Sequence, residues 1–274
     1  MAESGQSRDE ARAARAPGWL LVPAALGLVL LTVPLLAMLP RVDWAELPAI
    51  ITSPTARDAL WLSIRTAALA VVLCVALGVP LALAMSRARP RVAAILRALV
   101  TLPLVLPPLV GGVALLAVVG RTGLLGGWLE RVGVSIAFTP WAIVLAQTFV
   151  ALPFLVITVE GSLRTVGSRY EVAAATLGAR PWTVLRRVTL PLIAPSLLGG
   201  TVLAFTRALG EFGATALVAG NRPGVTQTIP MAIYTAFNGA GVTRDVALVL
   251  SVLLVASALV ILLLVPAVRR REAW

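Results

Sequence analysis

Six apolar runs, each about as long as a membrane-crossing helix, constrain this chain more than any other feature of its sequence. They lie near residues 18–40, 60–85, 92–119, 140–160, 192–219 and 246–267. A helix needs about 20 apolar residues to cross the hydrocarbon core of a bilayer. Only 13% of the 274 residues are charged, whereas a soluble globular domain carries about a quarter. The sequence therefore predicts an all-α, polytopic membrane protein with six transmembrane helices.

The distribution of arginine indicates the orientation of these spans. The net charge of +11 comes from arginines in short runs between the apolar segments, because the chain contains no lysine. Such scattered charge argues against a basic face that binds nucleic acid. Most arginines outside the spans face the cytoplasm if the tails 1–17 and 268–274 both lie there. We therefore predict a multi-pass protein of the cell (inner) membrane, in contact with lipid, with both termini cytoplasmic.

Missing residue types restrict the chemistry. The chain has no histidine and a single cysteine, Cys74, which argues against a Ser-His nucleophile and a Cys-rich metal site. Without lysine it lacks a P-loop. We therefore expect no catalytic residue, cofactor or metal in this chain, and a separate subunit to bind any ATP and Mg.

Two other classes of membrane protein are less compatible with the sequence. An intramembrane hydrolase without histidine needs a Ser-Lys pair or paired aspartates, and Asp43, Asp58 and Asp245 fall in outer loops or at span edges. An ion-driven secondary transporter needs working acids inside its spans. Only Glu211 clearly meets that requirement.

The third span is rich in proline. Residues 101–112 include Pro103, Pro107 and Pro108 and end in two glycines. Each proline removes a hydrogen bond from the helix, so the sequence predicts a bend or break where neighbouring helices can satisfy the freed carbonyls. Whether this bend serves transport or only packing remains open at this point.

The predicted loop 161–191 is much longer than a hairpin between two helices requires. Residues 170–178 form a helix-favouring stretch ended by Gly178, and a second stretch, 181–191, begins with proline and carries spaced apolar residues. The sequence predicts two short amphipathic helices that meet at Gly178. They would either dock on a partner or lie on anionic lipid.

This loop resembles the EAA loop of ATP-binding-cassette importer permeases. The pattern of that family is Glu-Ala-Ala, three residues, Gly, nine residues, and then a segment ending in Leu-Pro. Here Val172 occupies the glutamate position, and Glu171 precedes it by one residue. The resemblance implies a coupling helix that docks in a groove of the ATPase subunit, and it assigns coupling to Glu171, Ala173, Ala174, Gly178, Leu190 and Pro191.

Further motifs resemble the permeases of molybdate importers and their sulfate and tungstate relatives. They are Arg-Ala-Leu-Gly-Glu-Phe-Gly-Ala-Thr at 207–215, the segment 221–235, and shorter matches at 102–112, 120–123, 138–141 and 151–153. The resemblance implies a type I ABC importer permease fold and a homodimer with one pore. It also implies two ATPase subunits and an extracytoplasmic oxyanion-binding protein. The variants at 214–215 and 232–235 favour molybdate, with sulfate, thiosulfate or tungstate as alternatives.

Arg207 and Glu211 lie four residues apart in the fifth predicted span, so one helix face would carry both side chains. An ionisable residue at membrane depth normally faces a protein interior or a water-filled cavity. The two residues form either a structural ion pair or part of the translocation path. We assign Arg207, Gly210, Glu211, Gly213 and Thr215 to that path or its gate.

The segment 221–243, between the last two spans, begins with a turn and contains a predicted short helix at 230–237. Such an outer element contacts the substrate-binding protein in the family that the chain resembles. The alternative is a solvated loop.

Overall fold

The structure is a computed structural model that describes residues 18–239 and 244–271. Over these residues it is helical, with no β-strand, as the sequence predicts. The predicted tail 1–17, residues 240–243 of the segment 221–243, and residues 272–274 of the predicted tail 268–274 lie outside the description. The chain divides into two compact units, 1–44 and 45–274.

The first unit contains one long apolar helix. A 3₁₀ turn, Gly18–Leu20, leads into α1, Leu21–Leu36, and a second 3₁₀ turn follows at Leu39–Arg41. The stretch Leu21–Arg41 is long and apolar enough to cross a membrane. The first predicted span therefore corresponds to a helix.

The second unit contains twelve α-helices over its described residues. They are α2 (Leu47–Thr52), α3 (Pro54–Arg87), α4 (Pro90–Val105), α5 (Pro108–Val119), α6 (Gly126–Arg131), α7 (Pro140–Val166), α8 (Arg169–Thr176), α9 (Pro181–Val184), α10 (Leu190–Leu209), α11 (Gly213–Ala219), α12 (Ile229–Phe237) and α13 (Arg244–Arg271). A π-helical turn, Leu185–Thr189, joins α9 to α10. Five of the helices begin with proline, which suits the first helical position because its N–H would have no partner there.

The core of this unit lies where α3, α7 and α10 pack together. Small side chains dominate the contact, so the helix backbones approach one another closely. The fully buried residues include Ala67, Ala70, Cys74, Ala151, Leu155, Val156, Val159, Ala204 and Ala208. The ends of these helices are thereby held in fixed positions relative to one another.

The described helices are consistent with six spans, although not every span is one long straight helix. Four stretches pass the test for length and hydropathy: Leu21–Arg41, Pro54–Arg87, Pro140–Val166 and Pro181–Leu209. The pair α4 and α5 makes a fifth span if it is counted as one. The sixth predicted run, 246–267, falls within α13, of which Asp245–Val260 is a shorter apolar stretch.

The predicted bend in the third span is confirmed. α4 and α5 meet at an angle of 112°. Leu106 and Pro107, between them, have ψ angles of 137° and 135°. A proline disfavours the helical region for the residue before it, and both Leu106 and Pro107 precede one. The consecutive prolines therefore end α4 and start α5 in a new direction.

The fifth predicted span, 192–219, is interrupted and does not form one continuous helix. α10 ends at Leu209, and α11 starts at Gly213. The Glu211 carboxylate accepts a hydrogen bond from the Ala214 backbone N–H at 2.7 Å. A side chain that satisfies an orphan N–H in the first turn favours a helix start, so Glu211 stabilises the restart.

The short helix predicted at 230–237 is present as α12, which ends at Phe237 and is followed by Asn238 and Gly239. It packs against α3 and α13 through buried residues that include Ala59, Ile229 and Leu250. The Ile229 N–H donates to the Ser63 hydroxyl at 2.8 Å. α12 is therefore anchored to the membrane-embedded helices.

Candidate coupling loop and helix breaks

The loop helix α8 lies between two glycines in the left-handed region. Gly167 has φ +66° and Gly178 has φ +82°, a conformation that other residues adopt at a cost. Nothing lies within 4 Å of a Cβ placed at either position. Backbone conformation, not space, therefore requires glycine at both ends of α8.

The second loop helix differs from the sequence prediction. α9 runs through the π turn directly into α10, so Pro181–Leu209 is one continuous helical stretch. The Leu190 N–H donates to the Leu185 carbonyl, five residues earlier. Pro191 follows and has no N–H to donate, which disturbs the regular helical ladder. Leu190 and Pro191 therefore lie in the first turn of a span and not in a separate short helix.

The loop exposes apolar side chains. Leu177 is 89% exposed, and Val172 and Trp182 are also largely exposed. Ala173 is exposed and Ala174 half-buried on the same short helix. Exposed apolar residues in a loop of this kind are typical of a surface that binds a partner or a membrane.

Glu171 is tied to its own chain. Its Oε1 accepts a hydrogen bond from the Thr189 hydroxyl at 2.5 Å and one from Arg87 Nη2 at 3.1 Å. Thr189 is buried in the π turn, and Arg87 is the last residue of α3. The sequence placed Glu171 among the coupling residues, and the structure gives it intramolecular partners.

Arg207 and Glu211 form the ion pair that their spacing predicts. Arg207 Nη1 lies 2.7 Å from Glu211 Oε2, and the Glu211 side chain is only 2% exposed. Because Oε1 accepts from Ala214, both carboxylate oxygens are satisfied. Arg207 is 30% exposed and borders a cavity of about 160 Å³, together with Pro107, Pro108 and other residues near the α4–α5 break.

The two helix breaks pack against each other. A Cβ on Gly213 would lie 2.6 Å from the Pro108 Cβ, and one on Gly112 would lie 2.9 Å from the Leu217 Cβ. α5 and α11 therefore approach at a distance that only glycine allows. Of the other predicted path residues, Gly210 is exposed, while Thr215 is fully buried.

A third ion-pair site, centred on Glu160, was not predicted from the sequence. Its carboxylate accepts two hydrogen bonds from Arg97 of α4, and Arg164 lies 3.6 Å away, one turn along α7. Because α7 continues to Val166, Glu160 lies inside a helix and is 5% exposed. The i, i+4 spacing of Glu160 and Arg164 was the available sign. Within the described parts of the chain, no group of three or more His, Cys, Asp or Glu residues could hold a metal.

The family of the chain follows from its similarity to known proteins. Residues 75–272 match the family of binding-protein-dependent transport system inner membrane components. The chain belongs to this family. It is a transport component and a multi-pass membrane protein.

Two relatives of this permease are similar to it over most of their length. It is 55% identical over 248 residues to the molybdenum transport system permease protein ModB of Mycobacterium tuberculosis, which covers 90% of this chain and 92% of that one. It is 34% identical over 227 residues to the sulfate transport system permease protein CysT of Escherichia coli, covering 80% and 81%.

A solved structure shares the fold of the permease. It is the bacterial alginate ABC transporter in complex with an alginate pentasaccharide-bound periplasmic protein, with a TM-score of 0.71 at 18% identity over 99% of this chain and 98% of that one. The predicted fold of an ABC importer permease is therefore confirmed.

Proposed function

We propose that this chain is the permease subunit of an ATP-driven oxyanion importer, with molybdate as its substrate, and that it forms the pore as a homodimer. The observation that carries this proposal is the 55% identity to a molybdenum transport permease, which extends over 90% of the chain. An aligned region of that length spans both helix breaks and the loop. Selectivity between oxyanions then resides mainly in the binding protein that delivers the substrate.

Two kinds of partner complete the transporter. Because this chain has no P-loop lysine, separate ATPase subunits bind ATP and Mg. The proposed transporter contains two of them. An extracytoplasmic oxyanion-binding protein docks on the opposite side, in contact with the segment that includes α12. The alginate transporter, which shares the fold, has been crystallised with a periplasmic protein. The excess of arginine on the loop side supports a cytoplasmic loop and cytoplasmic termini.

The loop around α8 would couple the permease to the ATPase. Its exposed Leu177, Val172 and Trp182 provide an apolar surface, and nearby arginines suit an acidic partner. Ala173 and Ala174 permit close approach, and Gly178 provides the tight bend. Leu190 and Pro191, the first residues of α10, continue the helical stretch that begins in the loop at Pro181.

Transport would proceed by alternating access. ATP would draw the two ATPase subunits together and move the two loops, which turns the cavity outward, and hydrolysis would reset it. The breaks around Gly210 and Pro107 interrupt the helical hydrogen bonds and provide the points of bending. In this scheme Arg207 and Glu211 are a structural pair that holds the break together, with Gly213 and Thr215 in the packed contact beside it.

A sulfate or tungstate permease is the second candidate. The observation in its favour is the 34% identity to a sulfate permease over 80% of this chain. Deletion of the gene separates the molybdate proposal from the sulfate alternative. We expect lower molybdenum-enzyme activity at trace molybdate, rescue by excess molybdate, and unchanged sulfate uptake. Sulfur auxotrophy without a molybdenum defect would favour the sulfate alternative.

A biochemical test determines which subunit hydrolyses ATP. The purified chain in vesicles should hydrolyse no ATP until the ATPase subunit is added, since it lacks the residues that bind the phosphates. Robust hydrolysis by the chain alone would refute the proposal that it is the permease component.

A further inference from the structure

The loop helix α8 is attached to the protein at few points. None of its residues is buried, and glycines with positive φ precede and follow it. Arg169 Nη2 bonds only the neighbouring Tyr170 hydroxyl, and the Thr176 hydroxyl bonds Val172, so these side-chain bonds stay within α8. The helix is thus free to tilt between its two glycines unless another contact restrains it.

Glu171 supplies that restraint. Within the described chain, it alone makes side-chain hydrogen bonds from α8 to other elements. A hydroxyl that donates to a carboxylate forms a stronger bond than a neutral pair does, and the Thr189 hydroxyl that donates here is 3% exposed. The Arg87 bond is more exposed, so water weakens it. The Thr189 bond is therefore the main attachment.

The two partners of Glu171 lie at the ends of the helices that form the core. Arg87 ends α3, and Thr189 directly precedes α10. α3 and α10 pack on each other and on α7. A displacement of α8 that is carried by Glu171 therefore reaches two membrane helices, one of which, α3, is distant from α8 along the chain.

We infer that Glu171 is a positioning residue that transmits the movement of α8 to α3 and α10, and that it does so through Thr189 and Arg87 without contacting the ATPase. This inference rests on the proposed function of the loop. The exposed apolar side chains of the loop would dock on the ATPase, and Glu171, the loop carboxylate that faces inward, would transmit the movement of α8.

Removal of the Thr189 hydroxyl tests transmission. Thr189→Val keeps the shape of the side chain but removes the donor, and Thr176→Val is the matched control because its hydroxyl bonds only within α8. The complete transporter is reconstituted in vesicles, and molybdate uptake and ATP hydrolysis are measured together. We expect Thr189→Val to hydrolyse ATP while uptake per ATP falls about tenfold, as loss of a charge-assisted hydrogen bond predicts. Unchanged uptake per ATP, or an equal loss of hydrolysis and uptake, would overturn the inference.

A charge exchange tests whether the partner of Glu171 is internal. Arg87→Glu and Glu171→Arg should each lower uptake per ATP, and the double variant should recover the part of the loss that comes from the Arg87 contact. Recovery is expected only if the two side chains face each other. If Glu171 instead contacts the ATPase, the Arg87 change does not rescue it. Arg91→Glu, combined with Glu171→Arg, controls for a general change of charge, because Arg91 is exposed at the start of α4.

A measurement on the full-length chain alone separates this inference from the proposed substrate. Hydrogen exchange of the amides at 169–177 should be faster in Thr189→Val than in the wild-type chain, and unchanged in Thr176→Val. If the wild-type transporter moves no molybdate but this difference is present, the proposed substrate fails and the attachment of α8 stands. Equal exchange in all three chains would refute the attachment.

Discussion

The loop around α8 and the paired breaks at α5 and α11 both depend on glycine, but for opposite reasons. Gly178 has φ +82° and open space around its Cα. Gly112 is helical, and a Cβ there would lie 2.9 Å from the Leu217 Cβ and 3.0 Å from the Ala214 carbonyl oxygen. The loop therefore uses glycine to bend the backbone, whereas the breaks use it to bring two backbones together.

The acids in the two regions differ in the same way. Glu211, in the break between α10 and α11, pairs with Arg207 of α10 and caps α11, with its side chain 2% exposed. Glu171 is 23% exposed and ties α8 to other helices. The acid at the break is thus buried with its partners, while α8 is held by a few polar bonds. In the proposed transport cycle, this difference would let the loop move while the packed contact between α5 and α11 stays intact.

The largest effect is expected at the buried ion pair. Arg207→Gln leaves the Glu211 carboxylate buried without its charge partner, which should cost about 3 kcal/mol of stability. Thermal unfolding of the purified chain measures the loss. Arg121→Gln is the control, since its partner Glu130 is exposed and such a pair contributes at most about 1 kcal/mol.

The double variant Arg207→Gln with Glu211→Gln sharpens this prediction. It should recover much of the stability, because no unpaired charge remains in the protein interior. If the double variant is well folded but inactive in uptake, Arg207 attracts the passing anion and the structural interpretation of the pair is wrong.

The next effect concerns packing at the breaks. Gly112→Ala should lower stability by about 1–3 kcal/mol because the added Cβ overlaps α11. Gly199→Ala, in open space on α10, should instead raise stability by about 0.5–1 kcal/mol, because alanine favours the helix. Opposite shifts in the unfolding temperatures of the two variants would support the conclusion that close packing requires Gly112. Equal shifts would contradict it.

A smaller effect on stability is expected in the loop. Gly178→Leu places a side chain in the left-handed region, at a cost of about 1–2 kcal/mol, which the loop can relieve by changing shape. The chain should fold and insert, yet ATP hydrolysis stimulated by the binding protein should be lost. Gly161→Leu, on an exposed helical position with open space, should keep stimulation. Normal stimulated turnover in Gly178→Leu would show that the loop lies on lipid.

The smallest change in stability is expected at the exposed apolar surface. Leu177→Ser should alter stability by less than about 0.5 kcal/mol, because the side chain touches little. It should nevertheless weaken binding of the ATPase subunit, measured by co-purification at increasing detergent concentration. Leu124→Ser, at a position of similar exposure outside the loop, is the control. Equal retention of the ATPase by both variants would exclude Leu177 from the docking surface.

Local features of the chain were predictable where one residue type determines them. The consecutive Pro107 and Pro108 predicted the break in the third span, and Gly178 predicted the end of α8. The spacing of Arg207 and Glu211 predicted their ion pair. The complete break after Leu209 was not predicted. It depends on whether the Glu211 carboxylate caps α11, and the local sequence does not determine which group that carboxylate binds.

Contacts between distant residues were not predictable. Arg87 and Glu171 are 84 positions apart, and Arg97 and Glu160 are 63 apart. Many arginines could have paired with either acid, and nothing in the local pattern selects one of them. The helix packing made the selection by bringing the ends of α3, α4, α7 and α8 together.

The sequence by itself determined the membrane class, the helical fold and the family, because hydropathy, proline and short motifs act locally and leave few alternatives in a bilayer. Only the tertiary structure decided what individual glycines and acidic residues do. It showed that Gly112 and Gly178 serve different purposes and that Glu171 turns toward Thr189. The physical reason is that a side chain acquires its role from the neighbours that packing places within a few ångströms, and those neighbours come from remote parts of the chain.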